Sequence, residues 1–572
     1  MFSIPLPTTL ESLAEQLTTH YDDVAWLDSP EETGFSILAF GATATESFFS
    51  TTPLSAFQAF FERFLLKTQE PPNLGELVLA PLWLGFFSYE AFCFNPLIPF
   101  QPSAVKPYPL GVWRKYPTYV VRNKGETHFV SFAENATTLY QNLLAKLVLS
   151  TKGVSESAKQ QKKPTLALPE CQTTWPDYQL AFAQIQKQLQ QGDYFELNYT
   201  TEFSSHGSLS VSDLTKLYLT LRQQTFAPMM AYFPWPELKI LSASPELFFK
   251  VSQDGKILTR PIKGTIARGT NSEEDESQKL KLLQSEKECA ELLMITDLMR
   301  NDFGRICAVG SVVTTKLVTL ETFSHYHHLF SEITGTLRND LSFFDVFCAL
   351  FPGGSITGAP KIQVMQSIQN LEKRPRGVYT GAIGVISESG WSQFNIPIRT
   401  LTQYDNTLEF ATGGGIVIDS VVEKEFDECF VKAKGILETL KVFLGLSLCF
   451  VIFFGCAQTP KKGSGDFSSV SDDSTIIIRD YSFFPEELEA VAGQTITFYN
   501  YDAVPHEILS ESAENAFDDT GIFSSEIITP DEFGFIEVPT DAVVGDVYYF
   551  YCNQLQDLMV TPNAHITVIA DE

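Results

Sequence analysis

None of the nine cysteines in this 572-residue chain belongs to a C-x-x-C pair, and none keeps zinc-ligand spacing with histidine. That excludes a zinc finger or ribbon and a dithiol redox motif, and the first six cysteines read as reduced core or helix residues. Basic charge is scarce as well: 40 Lys and Arg stand against 69 Asp and Glu, a net charge of −29. The shortage is greatest from Gly463 on, where 22 acidic residues face one arginine. A surface of that sign repels phosphate, which argues against nucleic acid as a partner; it suits solubility or a basic partner. The opening MFSIPLPTTLESLAEQL has no basic region ahead of an apolar run, so no export signal is expected there and the first part is expected to be cytoplasmic. The glycine-rich turns FPGGSITGAPK and ATGGGIVIDS lack both G-x-x-x-x-G-K-[ST] and G-x-G-x-x-G, which speaks against nucleotide binding.

What is present is a globular composition, 44% hydrophobic and 13% aromatic, at a length that predicts two or three domains. Residues 1–150 mix short apolar strands (WLGFFSY, YVVRN, HFVSF) with amphipathic stretches. Residues 151–171 are polar, rich in Lys and Ser, and read as a linker. Residues 172–440 alternate strand patterns (KILSASPELFFKV, GAIGVIS) with helix patterns (SEKECAELLMITDLMR, EKEFDECFVKAKGILETL), an α+β arrangement. The composition then breaks. Residues 441–457 form an apolar segment whose stretch VFLGLSLCFVIFFGCA carries no charge, 458–473 are a polar linker, and 474–572 alternate strands and turns. The apolar run is short for a membrane span and is followed directly by a flexible tract. It is similar to a bacterial lipoprotein signal ending at Cys456, so anchoring through 442–457 with the C-terminal part outside the cytoplasm is one expectation; a buried helix is the other.

Two helix patterns carry paired carboxylates. Glu288 and Glu291 are three apart, and Glu425, Glu428 and Lys432 stand at i, i+3 and i+7, so each set projects from one helix face. Four carboxylates facing one cleft would repel, and a hard divalent cation such as Mg²⁺ relieves that; two solvated amphipathic helices are the commoner fate of the same spacing. The two glycine-rich turns let backbone N–H groups approach an anion, and Arg399 in FNIPIRTL suits a carboxylate or a structural ion pair. In TRPIKGTIARG, Lys263 stands between an isoleucine and a glycine, where an ammonium has no evident partner.

Taken in order, GDYFELNYTTEF, LSASPELFF, RPIKGTIARG, KECAELLMITDLMRNDFGR, HHLFSEITG, FPGGSITGAPK, GVYTGAIG, IPIRT, GGGIV and EKEFDECFVKA resemble the chorismate-utilising enzymes. The resemblance runs from about Trp175 to Leu440 and implies a large two-lobed mixed α/β fold with antiparallel sheets; residues 1–150, with WLDS and LGFFSYEAF, resemble the N-terminal lobe of the family's large subunits. Within the family, P-I-K-G-T resembles the aminodeoxychorismate branch, whereas P-I-A-G-T marks the anthranilate branch, the runner-up. The implied activity is Mg²⁺-dependent conversion of chorismate and ammonia to 4-amino-4-deoxychorismate, toward 4-aminobenzoate and folate, with a separate glutamine amidotransferase supplying the ammonia. The resemblance makes Lys263 the nucleophile, Glu246 the proton donor and His328 a neighbour of the leaving hydroxyl. It assigns Thr357, Tyr379, Arg399, Gly414, Gly415 and Lys432 to the substrate, and Glu291 and Glu428, with Glu288 and Glu425 nearby, to Mg²⁺. An ammonium is no nucleophile, so the apolar turn is expected to keep the Lys263 amine neutral. Glu196, in GDYFELN, departs from both the glutamine and the lysine found at that position in family branches.

Farther on, YSFFPEELEAVAGQTITFYNYDAVPHEILS and DVYYFYCNQ resemble a cupredoxin, which implies an all-β sandwich with His506, Cys552 and Met559 as copper candidates. Leu555 stands where the second histidine is expected, which favours a metal-free sandwich. A tethered redox or binding protein built on this segment is the contrasting reading of the whole chain.

Overall fold

Runs of β-branched and aromatic residues such as KILSAS and LFFKV form strands, and in the computed structural model they assemble with others into two large antiparallel sheets. The structure describes residues 2–6, 8–30, 34–64, 73–74, 77–78, 80–152, 166–269, 271–323, 326–445, 475–479, 482–484, 487–500, 506–511, 519–525, 528, 533–544, 546–552 and 565–569. Among these, one sheet holds 12 strands and the other 10. Four strands frame the site: β1 (Glu196–His206), β2 (Ile262–Ala267), β3 (Tyr326–Thr336) and β4 (Thr407–Ile416). In the first sheet β1 pairs with β4 from Leu197 opposite Ile416 to His206 opposite Thr407. In the second β2 pairs with β3, with a register shift between Lys263 and Thr265.

The chain passes between the sheets twice at one place. Lys239–Ser244 belongs to the first sheet and Leu247–Val251 to the second, so Glu246 sits at the crossing. Ser392–Asn395 belongs to the second and Thr400–Tyr404 to the first, so Arg399 sits at the return crossing. The two crossings are tied together: the Ala243 N–H donates to the Arg399 carbonyl (3.0 Å), the Ile396 N–H to the Glu246 carbonyl (3.2 Å), and the Ser244 hydroxyl to the Ile396 carbonyl (2.6 Å).

Residues 1–150 supply strands to both of these sheets rather than forming a body of their own. Ala25–Asp28 pairs with Met229–Pro234 in the first sheet, and Leu82–Phe87 pairs with Ala382–Ser387 in the second. Side chains of both sheets, including Ile37, Leu84, Val112, Ala231 and Ile383, share one apolar core.

Two helices carry the paired carboxylates. Helix α1 (Glu286–Ile306) is N-capped by Ser285, whose hydroxyl accepts the Glu288 N–H. Its stripe of Leu292, Ile295, Met299, Phe303 and Ile306 is buried, each large side chain contributing about 2 kcal/mol. Helix α2 (Val422–Leu444) buries Phe426, Cys429, Ala433, Ile436, Leu440 and Leu444 and ends at Gly445, whose φ of 64° forms the left-handed cap. The helix therefore runs past Leu440, because Leu440 and Leu444 pack with Leu217 and Leu221 in a shared core. The apolar segment expected from residue 441 thus begins as the last turn of α2, while 446–457, with Cys456, lie outside the described residues. Among the described residues no helix is long and apolar enough to cross a membrane.

The chain divides by its internal contacts into Met1–Gln458 and Thr459–Glu572. In the second unit, sheets of four and five strands share a core that includes Ile476, Ile496, Phe498, Ile508, Phe550 and Ile566.

Candidate active site

Lys263 extends from β2 into a nest of carboxylates. Its Nζ lies 2.5 Å from Glu196 Oε1 on β1 and 3.5 Å from Glu291 Oε2 on α1. The Lys263 side chain is 11% exposed and Glu196 is fully buried. Burial alone would pull the amine down, but the charges of Glu196 and Glu291 outweigh it and the net direction is up. The expectation of a neutral amine in an apolar turn is thereby corrected: Ile262 and Gly264 are neighbours only along the chain, and across space the partners are anionic. The pair also needs Gly415 on β4. A Cβ there would come within 2.1 Å of Glu196 Oε1 and 3.1 Å of Lys263 Nζ, so no larger residue fits beside it.

The helices bring the remaining carboxylates to the same place. Glu291 is 8% and Glu425 2% exposed. Burial pushes Glu291 up to about 7, and burial, together with the charge of Glu428, raises Glu288. Burial pushes Glu428 up, but Lys432, 2.6 Å away, together with Lys287 and Lys263, outweighs it, so its net direction is down. Lys432 Nζ also donates to the Gly413 carbonyl (2.8 Å). A Cβ on Gly414 would lie 3.2 Å from Glu425 Oε2 and 3.5 Å from Glu428 Oε1, so this glycine sits directly against both carboxylates. Glu291 Oε1, Glu425 Oε2 and Glu196 Oε2 are buried without a hydrogen-bond partner, a costly condition for carboxylate oxygens. Lys287, at the second position of α1, lies 3.0 Å from Glu425 Oε1 and 3.9 Å from Glu291 Oε1.

Glu246 is 4% exposed, and its Oε1 accepts the Ser355 hydroxyl at 2.7 Å. Burial pushes its carboxyl up to about 7, against the smaller opposing effects of Ser355 and Lys263. It can therefore hold a proton near neutral pH, as a general acid must.

Thr357 is fully buried; its hydroxyl donates to the Gly353 carbonyl at 2.9 Å, and its own carbonyl accepts the Asn198 N–H at 2.9 Å. Gly358–Ala359 continues as a short strand on Glu196–Leu197, which fixes this turn against β1. Tyr379 is buried, its phenol pushed up by desolvation, and the next residue, Thr380, donates its N–H to the Pro397 carbonyl at 3.1 Å. Thr380 (φ 61°) and Arg399 (φ 50°) both adopt left-handed backbone, a strained state for non-glycine residues that clusters at functional sites. Burial pulls the Arg399 guanidinium down. The guanidinium lies 5.8 Å over the Tyr326 ring, and among the described residues no carboxylate pairs with it.

His328 lies on β3 two residues beyond Tyr326, the ring beside Arg399. Its Nε2 meets Glu321 Oε2 at 3.0 Å, and its ring neighbours are Phe323, Tyr326 and Phe330. Lys263 is opposite Leu329, the next residue on β3, so the pleat turns Lys263 and His328 to opposite faces of the sheet. Sequence reasoning passes over Ser355, although it lies in FPGGSITGAPK, and over Lys287, although its i,i+4 spacing to Glu291 is visible in KECAE. It leaves Glu196 without a role, because the contact with Lys263 spans two sheets.

In the second unit, His506 is fully buried and forms an isolated bridge with Ile528. Cys552 lies opposite Ile508, two residues from His506, in antiparallel register; Met559 lies outside the described residues.

Residues 22–438 match the family model described as chorismate binding enzyme. The chain is 41% identical over 263 residues to aminodeoxychorismate synthase component 1 of Bacillus subtilis (strain 168), covering 46% of this chain and 55% of that protein, little more than half of its length. It is 32% identical over 413 residues to anthranilate synthase component 1 of Aquifex aeolicus (strain VF5), covering 69% of this chain and 81% of the relative. Among solved structures, anthranilate synthase component I from Streptococcus pneumoniae TIGR4 superposes with a TM-score of 0.60 at 27% identity, over 71% of this chain and 92% of that one.

Proposed function

This chain belongs to the family of chorismate binding enzymes, and we propose that it is the large subunit of an aminodeoxychorismate synthase, converting chorismate and ammonia to 4-amino-4-deoxychorismate. The observation that carries the reading is Lys263, a buried lysine that contacts Glu196 and lies among carboxylates, with Glu246 able to hold a proton near neutral pH. The name of the Bacillus relative supports it.

In this reading the proton first leaves Lys263, and Glu196 Oε1 is the acceptor in contact with it. The free amine bonds to ring carbon C2 as both ring double bonds shift along the diene and the C4–O bond breaks. The hydroxyl departs as water with the proton of Glu246. Ammonia then bonds to C4, both double bonds shift back, the C2–N bond breaks with its electron pair going to Lys263, and the amine takes its proton back from Glu196. Arg399 and Tyr379 grip the side-chain carboxylate, and Thr357, Gly414, Gly415 and Lys432 complete the pocket. Ammonia arrives from a separate glutamine amidotransferase; the Bacillus relative is itself named a component 1.

The donor set fits a magnesium ion. Glu196, Glu288, Glu291, Glu425 and Glu428 face three ammoniums, Lys263, Lys287 and Lys432, which leaves two negative charges when all five carboxylates are ionised. Glu291 Oε1 and Glu425 Oε2, buried without a hydrogen-bond partner, supply oxygens for it. Glu291 and Glu428 would hold the ion, with Glu288 and Glu425 direct or through water. Bound there, the ion would neutralise the ring carboxylate of chorismate. Among the described residues no three such side chains converge tightly enough to form a metal-binding group; lysines stand between them.

Anthranilate synthase is the second reading, favoured by the longer match to the Aquifex relative. Incubation with chorismate, Mg²⁺ and ammonium salt separates the two: a 4-amino product supports the first, a 2-amino product the second. For the C-terminal unit, a metal-free cupredoxin-like sandwich is the reading; intense blue absorption on adding Cu²⁺ would overturn it.

A further inference from the structure

Lys287 has no part in the chemistry just described, yet its ammonium lies between the carboxylates of both helices, 3.0 Å from Glu425 Oε1 and 3.9 Å from Glu291 Oε1. It differs from the other two lysines. Lys263 is nearly buried against Glu196, and Lys432 is held by Glu428 and by the Gly413 carbonyl. The Lys287 side chain is 46% exposed on the first turn of α1, so its flexible stem has solvent on one side. The oxygens it approaches belong to residues each left with a buried, unpartnered oxygen, Glu291 Oε1 and Glu425 Oε2.

We propose that Lys287 is a resident counter-ion, bridging Glu291 and Glu425 while the divalent cation is away and withdrawing to solvent when the cation binds, so that it sets the cation's affinity. The inference rests on the magnesium reading above. An ammonium and a dication between the same carboxylates repel each other at short range, so one must leave. Of the three lysines only Lys287 has both a solvent-facing side and contacts to carboxylates of both helices. The lysine therefore stabilises the metal-free arrangement and competes with the metal.

The test is metal binding to the full chain without chorismate, read from the electron paramagnetic resonance of free Mn²⁺ and from calorimetry with Mg²⁺. Lys287→Met should bind Mn²⁺ about ten-fold more tightly than the natural chain, whereas Lys287→Arg, which keeps the charge, should bind as the natural chain does. Saturating Mg²⁺ should also raise the melting temperature of Lys287→Met more than that of the natural chain, because its metal-free state has lost a counter-ion. Equal or weaker binding by Lys287→Met, with the natural chain binding, would overturn the counter-ion role and leave the magnesium reading standing. No Mn²⁺ binding by either chain at millimolar concentration would overturn both. Lys287→Gln provides a second neutral variant should the methionine disturb the helix.

Discussion

The two ends of the candidate site treat cations in opposite ways. At the β2 and helix end, Lys263, Lys287 and Lys432 are each paired with carboxylates of the chain itself. At the crossing between the sheets, Arg399 has no carboxylate partner among the described residues and sits on strained backbone beside the Tyr326 ring. On the proposed reading, the arginine left without a carboxylate partner among the described residues is the one that takes the substrate's anion. At the other end the same reading puts the magnesium ion, among carboxylates that outnumber the three lysines.

The largest way to break this comparison is at Lys263. Lys263→Ala should lower the rate of 4-amination about 10³-fold or more, on the scale of a lost nucleophile or acid–base group, measured as product formed per enzyme from chorismate and ammonium salt. Next is Arg399. Arg399→Ala should raise the KM for chorismate roughly 100-fold, and Arg399→Lys should recover only part of it, because an ammonium lacks the planar fork; steady-state kinetics on both variants is the check.

Glu246 sharpens the contrast from the middle of the site. As a general acid it must be protonated, and its carboxyl is pushed up to about 7, so kcat/KM should fall as pH rises above that value. Glu246→Gln should lose both that alkaline limb and about 10²-fold or more of the rate. A smaller effect has the opposite sign. A carboxyl raised in the folded chain contributes a penalty that sets in as pH climbs from the ordinary value of 4.5 toward 7 and is complete above it. Glu246→Gln, which keeps an oxygen for Ser355, should therefore melt a few degrees higher than the natural chain at pH 8, and should show less gain at pH 5. A calorimetric scan at the two pH values measures both.

Much of this arrangement is legible along the chain. The E-x-x-E spacing of KECAEL and the E-x-x-E of EKEFDECF read as helix faces, and both are, with Glu291 and Glu425 buried. KILSAS and LFFKV read as strand, although nothing local says that Pro245 and Glu246 carry the chain from one sheet into the other. The environment of Lys263 is hidden for the same reason: its decisive neighbours, Glu196 and Glu291, lie 67 and 28 positions away in sequence, and only the meeting of the two sheets and the packing of α1 bring them in. The first 150 residues carry strand signals in the right places, but strand partners at residues 229–234 and 382–387 cannot be inferred from alternation alone. A boundary at 440 rests on the change of composition there, whereas α2 follows the buried stripe through Leu444.

The most direct measurement is the mass of the enzyme quenched during incubation with chorismate and Mg²⁺ but no ammonia, followed by digestion and sequencing of the fragment that holds Lys263. The account predicts a fragment heavier by chorismate less one water, with the added mass on the Lys263 side chain, and its disappearance when ammonium is supplied. An unmodified Lys263 under these conditions, in enzyme that makes the 4-amino product at full rate once ammonium is added, would contradict it.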